Sequence, residues 1–321
     1  MHIVILDAYS ANPGDISWSP LEAFGRVEVY DDTDPEQVVE RAAQAEILIV
    51  NRVALSKETL RRLPRLRYIG TLATGYNTID VKAAAQLGIP VCNVPDYCTG
   101  AVAQMTFALL LELVCHVKTH SDLVRAGCWS ASKELCYRDI PLVGLEGKTM
   151  GILGYGAIGR AVGRIAMAMG MRVLCHSRTP QINNDGSQWV DFDTLLRQSD
   201  VLSLHCPLTE QTREIIGEAA LSRLKPGAYL VNTARGLLLN EQAVANALNE
   251  GRLAGAALDV LAQEPPAPNN PLLTARNCLI TPHIAWAPRE ARVRLVHIVA
   301  QNIAAFLRGA PQNNVAQEPT G

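Results

Sequence analysis

Gly154-Tyr155-Gly156-Ala157-Ile158-Gly159 sets three glycines in a G-x-G-x-x-G register. Alone the triplet is a weak sign. Here it follows the apolar run Met150-Gly151-Ile152-Leu153 and opens a helical pattern from Arg160 to Met169, the context in which such a loop holds the pyrophosphate of a dinucleotide. Gly154 permits the tight turn, Gly156 lets the backbone approach the phosphates, and Gly159 allows the helix to pack closely on the strand. The helix N-terminus adds unpaired N–H groups and the positive end of a dipole. Three more segments place polar groups at the ends of apolar runs, where ligands bind in open α/β sheets. They are Asn232-Thr233-Ala234-Arg235-Gly236; Asp259 with the following Ala262-Gln263-Glu264-Pro265-Pro266; and Thr281-Pro282-His283-Ile284-Ala285-Trp286.

Those segments need a scaffold, and the hydrophobic pattern describes one. Strand-like runs fall at 2–8, 27–31, 46–50, 67–73 and 90–94, with helix-like stretches at 35–45, 56–63 and 78–87 between them. A second series begins near Thr149. It has strands at 149–154, 172–176, 201–206, 228–233, 255–260 and 278–281, and helices at 157–169, 191–198, 218–224 and 240–250. Alternating strand and helix with short connections predicts parallel sheets flanked by helices, an α/β fold. An amphipathic stretch at 288–308 closes the series, with Ala291, Leu295, Ile298, Val299, Asn302 and Phe306 toward one face. The polar tail from Pro311 is expected to be loose.

The motifs, taken in order, resemble the D-isomer-specific 2-hydroxyacid dehydrogenase family over nearly the whole chain. The matching pieces are Ala73-Thr74-Gly75-Tyr76-Asn77, the glycine loop, His205-Cys206-Pro207-Leu208-Thr209, Asn232 to Gly236, Asp259 to Pro265, and Pro282-His283. Within the family, Pro282-His283-Ile284-Ala285-Trp286-Ala287 is most similar to the glycerate dehydrogenase/hydroxypyruvate reductase group. The resemblance implies two doubly wound parallel-sheet domains. One is a flavodoxin-like substrate domain, discontinuous over 1–98 and 289–321; the other is a Rossmann dinucleotide domain over 99–288.

It also implies Arg235, Glu264 and His283 as the catalytic set, and the chemistry agrees. Reducing a keto acid takes a hydride to C2 and a proton to the carbonyl oxygen. Histidine is the natural donor near neutral pH. A carboxylate on its ring favours the imidazolium and fixes the tautomer. Arginine has the fork geometry to hold a carboxylate. Backbone N–H groups around Ala73, Thr74 and Gly75, with Arg235, His283 and Trp286, are the implied substrate contacts; Tyr76, Arg52 and Leu72 are further candidate pocket walls. The implied cofactor contacts are the loop residues Gly154, Tyr155, Gly156, Ala157, Ile158 and Gly159, then Cys206, Pro207, Thr233, Ala234, Arg235, Asp259, His283 and Ala285. His176 and His205 end strands near these positions, with no chemistry assigned.

One position departs from the usual NAD pattern. A carboxylate normally follows the second strand and binds the ribose hydroxyls. This chain has Ser177-Arg178-Thr179 there, which removes a repulsion and adds a cation and two hydroxyl donors. Either NAD or NADP is implied, with NADP favoured.

Composition bounds the rest. With 29 Lys and Arg against 31 Asp and Glu the net charge is −2, so nucleic acid and anionic membranes are not expected partners. The stretch from Ala101 to Val117 is too short and too interrupted to span a membrane, and His2 to Ala8 reads as a strand rather than a leader. Eight cysteines without a C-x-x-C pair suggest reduced thiols in a cytoplasmic protein, and no zinc spacing appears. The apolar helix beginning at Ala101, and the aperiodic arm from Ala126 to Lys148 after it, suggest a homodimer contact. Two alternatives stay open: an enzyme of the same fold acting on another keto acid or on phosphite, and a non-enzymatic dinucleotide-sensing protein.

Overall fold

The computed structural model describes residues 1–137, 140–180 and 184–316. The chain divides into two compact units, Met1–Cys98 with Trp286–Gly321, and Thr99–Ala285. The return to the first unit thus comes at Trp286, three residues ahead of Arg289, where it was expected.

In the first unit, strands β1 (His2–Ile5), β2 (Arg26–Val29), β3 (Ile47–Val50), β4 (Tyr68–Thr71) and β5 (Val91–Cys92) form a parallel sheet in the order β2-β1-β3-β4-β5. This is the flavodoxin-like order, with its switch point between β1 and β3. β3 is buried on both faces, as a parallel sheet covered by helices requires. The closing helix Arg289–Leu307 docks here through Ala291, Leu295, Val299 and Asn302, all buried, while Phe306 stacks on Tyr68 at 4.9 Å. Its buried Arg292 grips Asp15 with two 2.6 Å bonds.

In the second unit, strands β6 (Thr149–Leu153), β7 (Arg172–His176), β8 (Gln188–Trp189), β9 (Val201–Leu204), β10 (Ala228–Asn232), β11 (Leu253–Leu258) and β12 (Cys278–Ile280) are all parallel. They run in the order β12-β11-β10-β9-β6-β7-β8. The order reverses between β6 and β9, the switch point of a Rossmann sheet. Because every strand points the same way, the segments after β6, β7, β9, β10, β11 and β12 all emerge at one edge.

Four features differ from the pattern in the sequence. Strand β8 is only two residues long, too short to leave a period. The segment 35–45 is a 3₁₀ turn, Pro35–Gln37, followed by the helix Val38–Ala42; Asp34 and Gln37 form a capping box around the turn. The apolar helix runs Thr99–Cys115, and its Ala101, Val102, Ala103, Thr106, Phe107, Leu110 and Val114 are buried, Ala103, Phe107, Leu110 and Val114 in the core of the second unit. Its apolarity is therefore core packing and gives no ground for a dimer contact. The tail, expected to be loose, is tied down where it is described; residues 317–321 lie outside the described residues. Val315 N–H bonds to Val91 O at 2.8 Å and Asn93 N–H to Asn313 O at 3.1 Å, so 313–315 covers the open edge of β5. The arm from Ala126 contains the short helix Cys128–Ala131, and Arg138 and Asp139 within it lie outside the described residues.

Candidate active site

The glycine loop follows β6 directly. Gly154 has φ +95°, and a Cβ there would lie 2.4 Å from the backbone N of Cys206, so only glycine lets the loop pass the end of β9. A Cβ on Gly159 would lie 2.2 Å from Gly154 O, which explains the third glycine. At Gly156 a Cβ would meet nothing within 4 Å. Open space therefore fronts the helix Ala157–Ala168, whose first N–H groups have no intrahelical acceptor. This arrangement fits a pyrophosphate. Cys206 stands beside the loop, and Pro207 follows it in the chain. The side chain of Tyr155 turns into the core, 2% exposed, and leaves only its backbone for the loop.

Ser177, Arg178 and Thr179 follow β7, with Arg178 and Thr179 exposed. The Ser177 hydroxyl donates to Thr179 O at 2.8 Å, and the Trp189 indole N–H donates to Ser177 O at 3.4 Å. His176 is held through Nδ1 at 2.9 Å from Val190 O. His205, at the end of β9, lies with Nε2 2.8 Å from Ser203 Oγ. Burial pushes its pKa down to about 3, so the ring is neutral.

At the ends of β10, β11 and β12 three loops meet. Arg235, Gly236, Leu261, Ala262, Glu264 and His283 line one cleft. His283 Nδ1 lies 2.6 Å from Glu264 Oε2, and Glu264 Oε1 accepts the Leu261 N–H at 3.0 Å. Burial raises the Glu264 pKa. The hydrogen bond and charge of His283, the Leu261 N–H and the charge of Arg235 outweigh burial and hold it below the ordinary glutamate value. Arg235 Nη1 donates to Ala234 O at 2.6 Å, and the Asn232 side chain clamps the turn through Ala234 N and Arg235 O. Thr233 is held at 3.1 Å by Thr106 of the apolar helix.

Asp259 is 1% exposed. Its carboxylate accepts the Thr281 hydroxyl at 2.6 Å and the N–H groups of Ile284 at 2.9 Å and Ala285 at 2.8 Å. Asp259, expected from the sequence as a cofactor contact, is also the buried post of the His283 turn. Gly236 is a close-approach glycine: a Cβ there would lie 1.9 Å from Leu261 C. Its absence lets the Arg235 turn and the Glu264 loop come together.

Ala73, Thr74 and Gly75 follow β4 in the first unit. Ala73 O accepts from Val94 N–H at 3.0 Å and Thr74 O from Asn93 Nδ2 at 2.8 Å. Their own N–H groups donate to no group among the described residues. Trp286 belongs to the same unit and meets Tyr97 edge-on at 6.5 Å.

Sequence reasoning missed two supports. Glu241 binds Ala262 N–H at 2.7 Å and the Asn270 side chain at 2.8 Å, bracing the Glu264 loop. Asp7, 2% exposed, accepts N–H groups of Asn51, Arg52 and Val53 beside the 73–75 turn. A charged residue closing the first apolar run was the available signal for Asp7; Glu241 looks like any first-turn glutamate.

Residues 107–285 match the model described as D-isomer specific 2-hydroxyacid dehydrogenase, NAD binding domain. The chain is 46% identical over 320 residues to a hydroxypyruvate reductase of Blautia hydrogenotrophica, covering 98% of this chain and 99% of that one. It is 42% identical over 289 residues to a glycerate dehydrogenase of Methylorubrum extorquens, covering 89% and 90%. Among solved structures, an acyclic imino acid reductase (Bsp5) in complex with NADPH and D-Arg is similar with a TM-score of 0.88 and 33% identity, covering 98% of this chain and all of that one.

Proposed function

The chain belongs to the D-isomer specific 2-hydroxyacid dehydrogenase family, and on that premise we propose that it reduces a small 2-keto acid to the D-2-hydroxy acid as an NAD(P)-dependent oxidoreductase. Hydroxypyruvate and glyoxylate are the proposed substrates, in keeping with the names of its relatives. The carrying observation is the 2.6 Å pair of His283 and Glu264 in a cleft that Arg235 also lines.

A nicotinamide dinucleotide supplies the hydride when bound. His283 gives the proton to the carbonyl oxygen, from the nitrogen that Glu264 does not occupy. Glu264, held on Nδ1, fixes which nitrogen faces substrate. Arg235 holds the substrate carboxylate and polarises the neighbouring carbonyl. The free N–H groups of Ala73, Thr74 and Gly75 are proposed as carboxylate donors, and Trp286 as a wall of the substrate pocket. Ser177, Arg178 and Thr179 are proposed to receive the adenosine ribose, with NADPH used at least as well as NADH; NADPH is the cofactor named for the similar imino acid reductase structure.

The proposed assembly is a homodimer. Val117, Val124, Trp129, Leu135 and Leu142 are exposed on the helix Val117–Arg125 and the arm after it, an apolar face that a second copy would cover. Among the described residues no single helix is long and apolar enough to cross a membrane. All eight cysteines are free thiols, which supports a cytoplasmic setting. Initial rates with hydroxypyruvate, glyoxylate, pyruvate and branched keto acids, each with NADH and NADPH, test the reading. It expects the first two to lead in kcat/KM; turnover of none would return the chain to a sensing role.

A further inference from the structure

The buried side chain of Tyr155 has a use that the glycine motif does not require. Its hydroxyl donates to Asp185 Oδ2 at 2.9 Å. It reaches that far by crossing the helix at Gly163, where a Cβ would lie 2.8 Å from the hydroxyl. Asp185 Oδ1 in turn accepts from Ser187, by the N–H at 3.1 Å and the hydroxyl at 2.6 Å. Arg160, in the first turn of the helix, lies over the Tyr155 ring at 4.8 Å and 3.6 Å from Asp185 Oδ2. Ser187, itself buried, leads into β8, and β8 carries Trp189, whose indole holds Ser177 O. His176 packs against the same indole at 5.7 Å. A continuous chain of contacts therefore joins the phosphate loop to the Ser177 turn.

We propose that Asp185 is a positioning residue for the adenosine end of the cofactor, coupling the glycine loop, through Tyr155, to the Ser177–Thr179 turn, through Ser187 and Trp189. The inference rests on the assignment of that turn to the ribose. Two groups that must hold neighbouring parts of one molecule, a pyrophosphate and a substituted ribose, keep their spacing only if their loops share a rigid link. Isolated loops would meet the ligand with their own ordering penalty. The link is polar and sits beside a solvated surface, so breaking it loosens the loops without opening the core. Phenylalanine at 155 fills the same space.

The test titrates wild type, Tyr155→Phe, Asp185→Asn and Arg178→Ala with adenosine 2′,5′-bisphosphate and, separately, with nicotinamide mononucleotide, by calorimetry, together with thermal melting. Tyr155→Phe and Asp185→Asn are expected to weaken the adenosine fragment by roughly three- to tenfold, a partial loss relative to a whole charged hydrogen bond. The nicotinamide fragment should stay within about twofold and Tm within about 2 °C, both small beside that loss. Arg178→Ala should weaken only the adenosine fragment. If Arg178→Ala leaves that fragment unaffected, the ribose assignment fails and the proposal with it. If Arg178→Ala acts but both link variants bind the fragment like wild type, the ribose assignment stands and the link is refuted. Equal loss of both fragments with a large fall in Tm would reduce the network to ordinary structure and also overturn it.

Discussion

Asp259 holds His283 in a left-handed backbone conformation. The histidine has φ +56°, its N–H donates to Asp259 O at 2.7 Å, and the Asp259 carboxylate takes the next two N–H groups. Non-glycine residues avoid that conformation unless neighbours impose it. Asp259→Asn keeps the size but replaces one acceptor oxygen with a donor facing an N–H or hydroxyl. The expected result is a loss of about 1–3 kcal/mol in stability together with a drop in kcat, read by denaturant melts and initial rates. Wild-type kcat in a folded variant would show that the turn sets itself.

His283→Ala is expected to lower kcat by about 10²–10⁴-fold, the usual size of a general acid contribution, and to leave dinucleotide affinity within about threefold by fluorescence titration, since the glycine loop is untouched. Retention of most of kcat would move the proton-donor role elsewhere.

Glu264→Gln addresses the pair by pH. The carboxyl is held below its ordinary pKa against the opposing effect of burial. A depressed carboxylate stabilises the fold above its unfolded pKa, and that contribution is lost as pH falls through the folded value. The variant should therefore lose part of the acid-side fall in stability that wild type shows. Activity moves with the same interaction. The carboxylate holds the ring that donates the proton in one orientation, so removing it should lower kcat for keto-acid reduction. An unchanged acid-side stability profile together with wild-type kcat would sink the pairing.

The glycine loop, the strand ends and the three residues proposed for catalysis were legible because each is local: a register of three glycines, or a polar residue closing an apolar run. What holds them together was not. Asp259 and the Ala285 N–H are 26 positions apart, and Glu241 and the Ala262 N–H are 21 apart. No periodicity marks such partners, because long-range hydrogen bonds are chosen by the assembled sheet. The helix Thr99–Cys115 shows the reverse problem. Its apolarity is compatible with a core or an interface, and only burial separates the two. Of its polar residues Thr106 is buried, and it faces Thr233.

Gly236→Ala tests the closeness of two loops. A Cβ 1.9 Å from Leu261 C cannot be relieved by rotating a side chain, since the obstacle is backbone. Overpacking of this kind costs about 1–3 kcal/mol. Moving the Glu264 loop by about 1 Å can cost on the order of 10²-fold in rate. The variant should thus melt earlier and lose more kcat than any nearby surface variant of equal stability. A fall in stability without a fall in kcat would mean that the loop spacing is not catalytic.

Cofactor preference follows from what stands after β7. A carboxylate at that position would accept from both ribose hydroxyls of NADH and repel a 2′-phosphate. Ser177 does neither. Its hydroxyl is engaged with Thr179 O, and the next residue, Arg178, is exposed. A charge-assisted bond from the guanidinium contributes about 1.5–3 kcal/mol, roughly ten- to a hundredfold in affinity. Exposure moves the expected gain toward the lower end, because solvent screens the charge. Wild type is therefore expected to use NADPH at least as well as NADH by kcat/KM. Ser177→Asp should swing the ratio toward NADH by restoring both the acceptor and the repulsion. Arg178→Ala should raise KM for NADPH while leaving KM for NADH nearly constant. A wild-type preference for NADH of tenfold or more would overturn the assignment, and so would an Arg178→Ala variant that loses both cofactors alike.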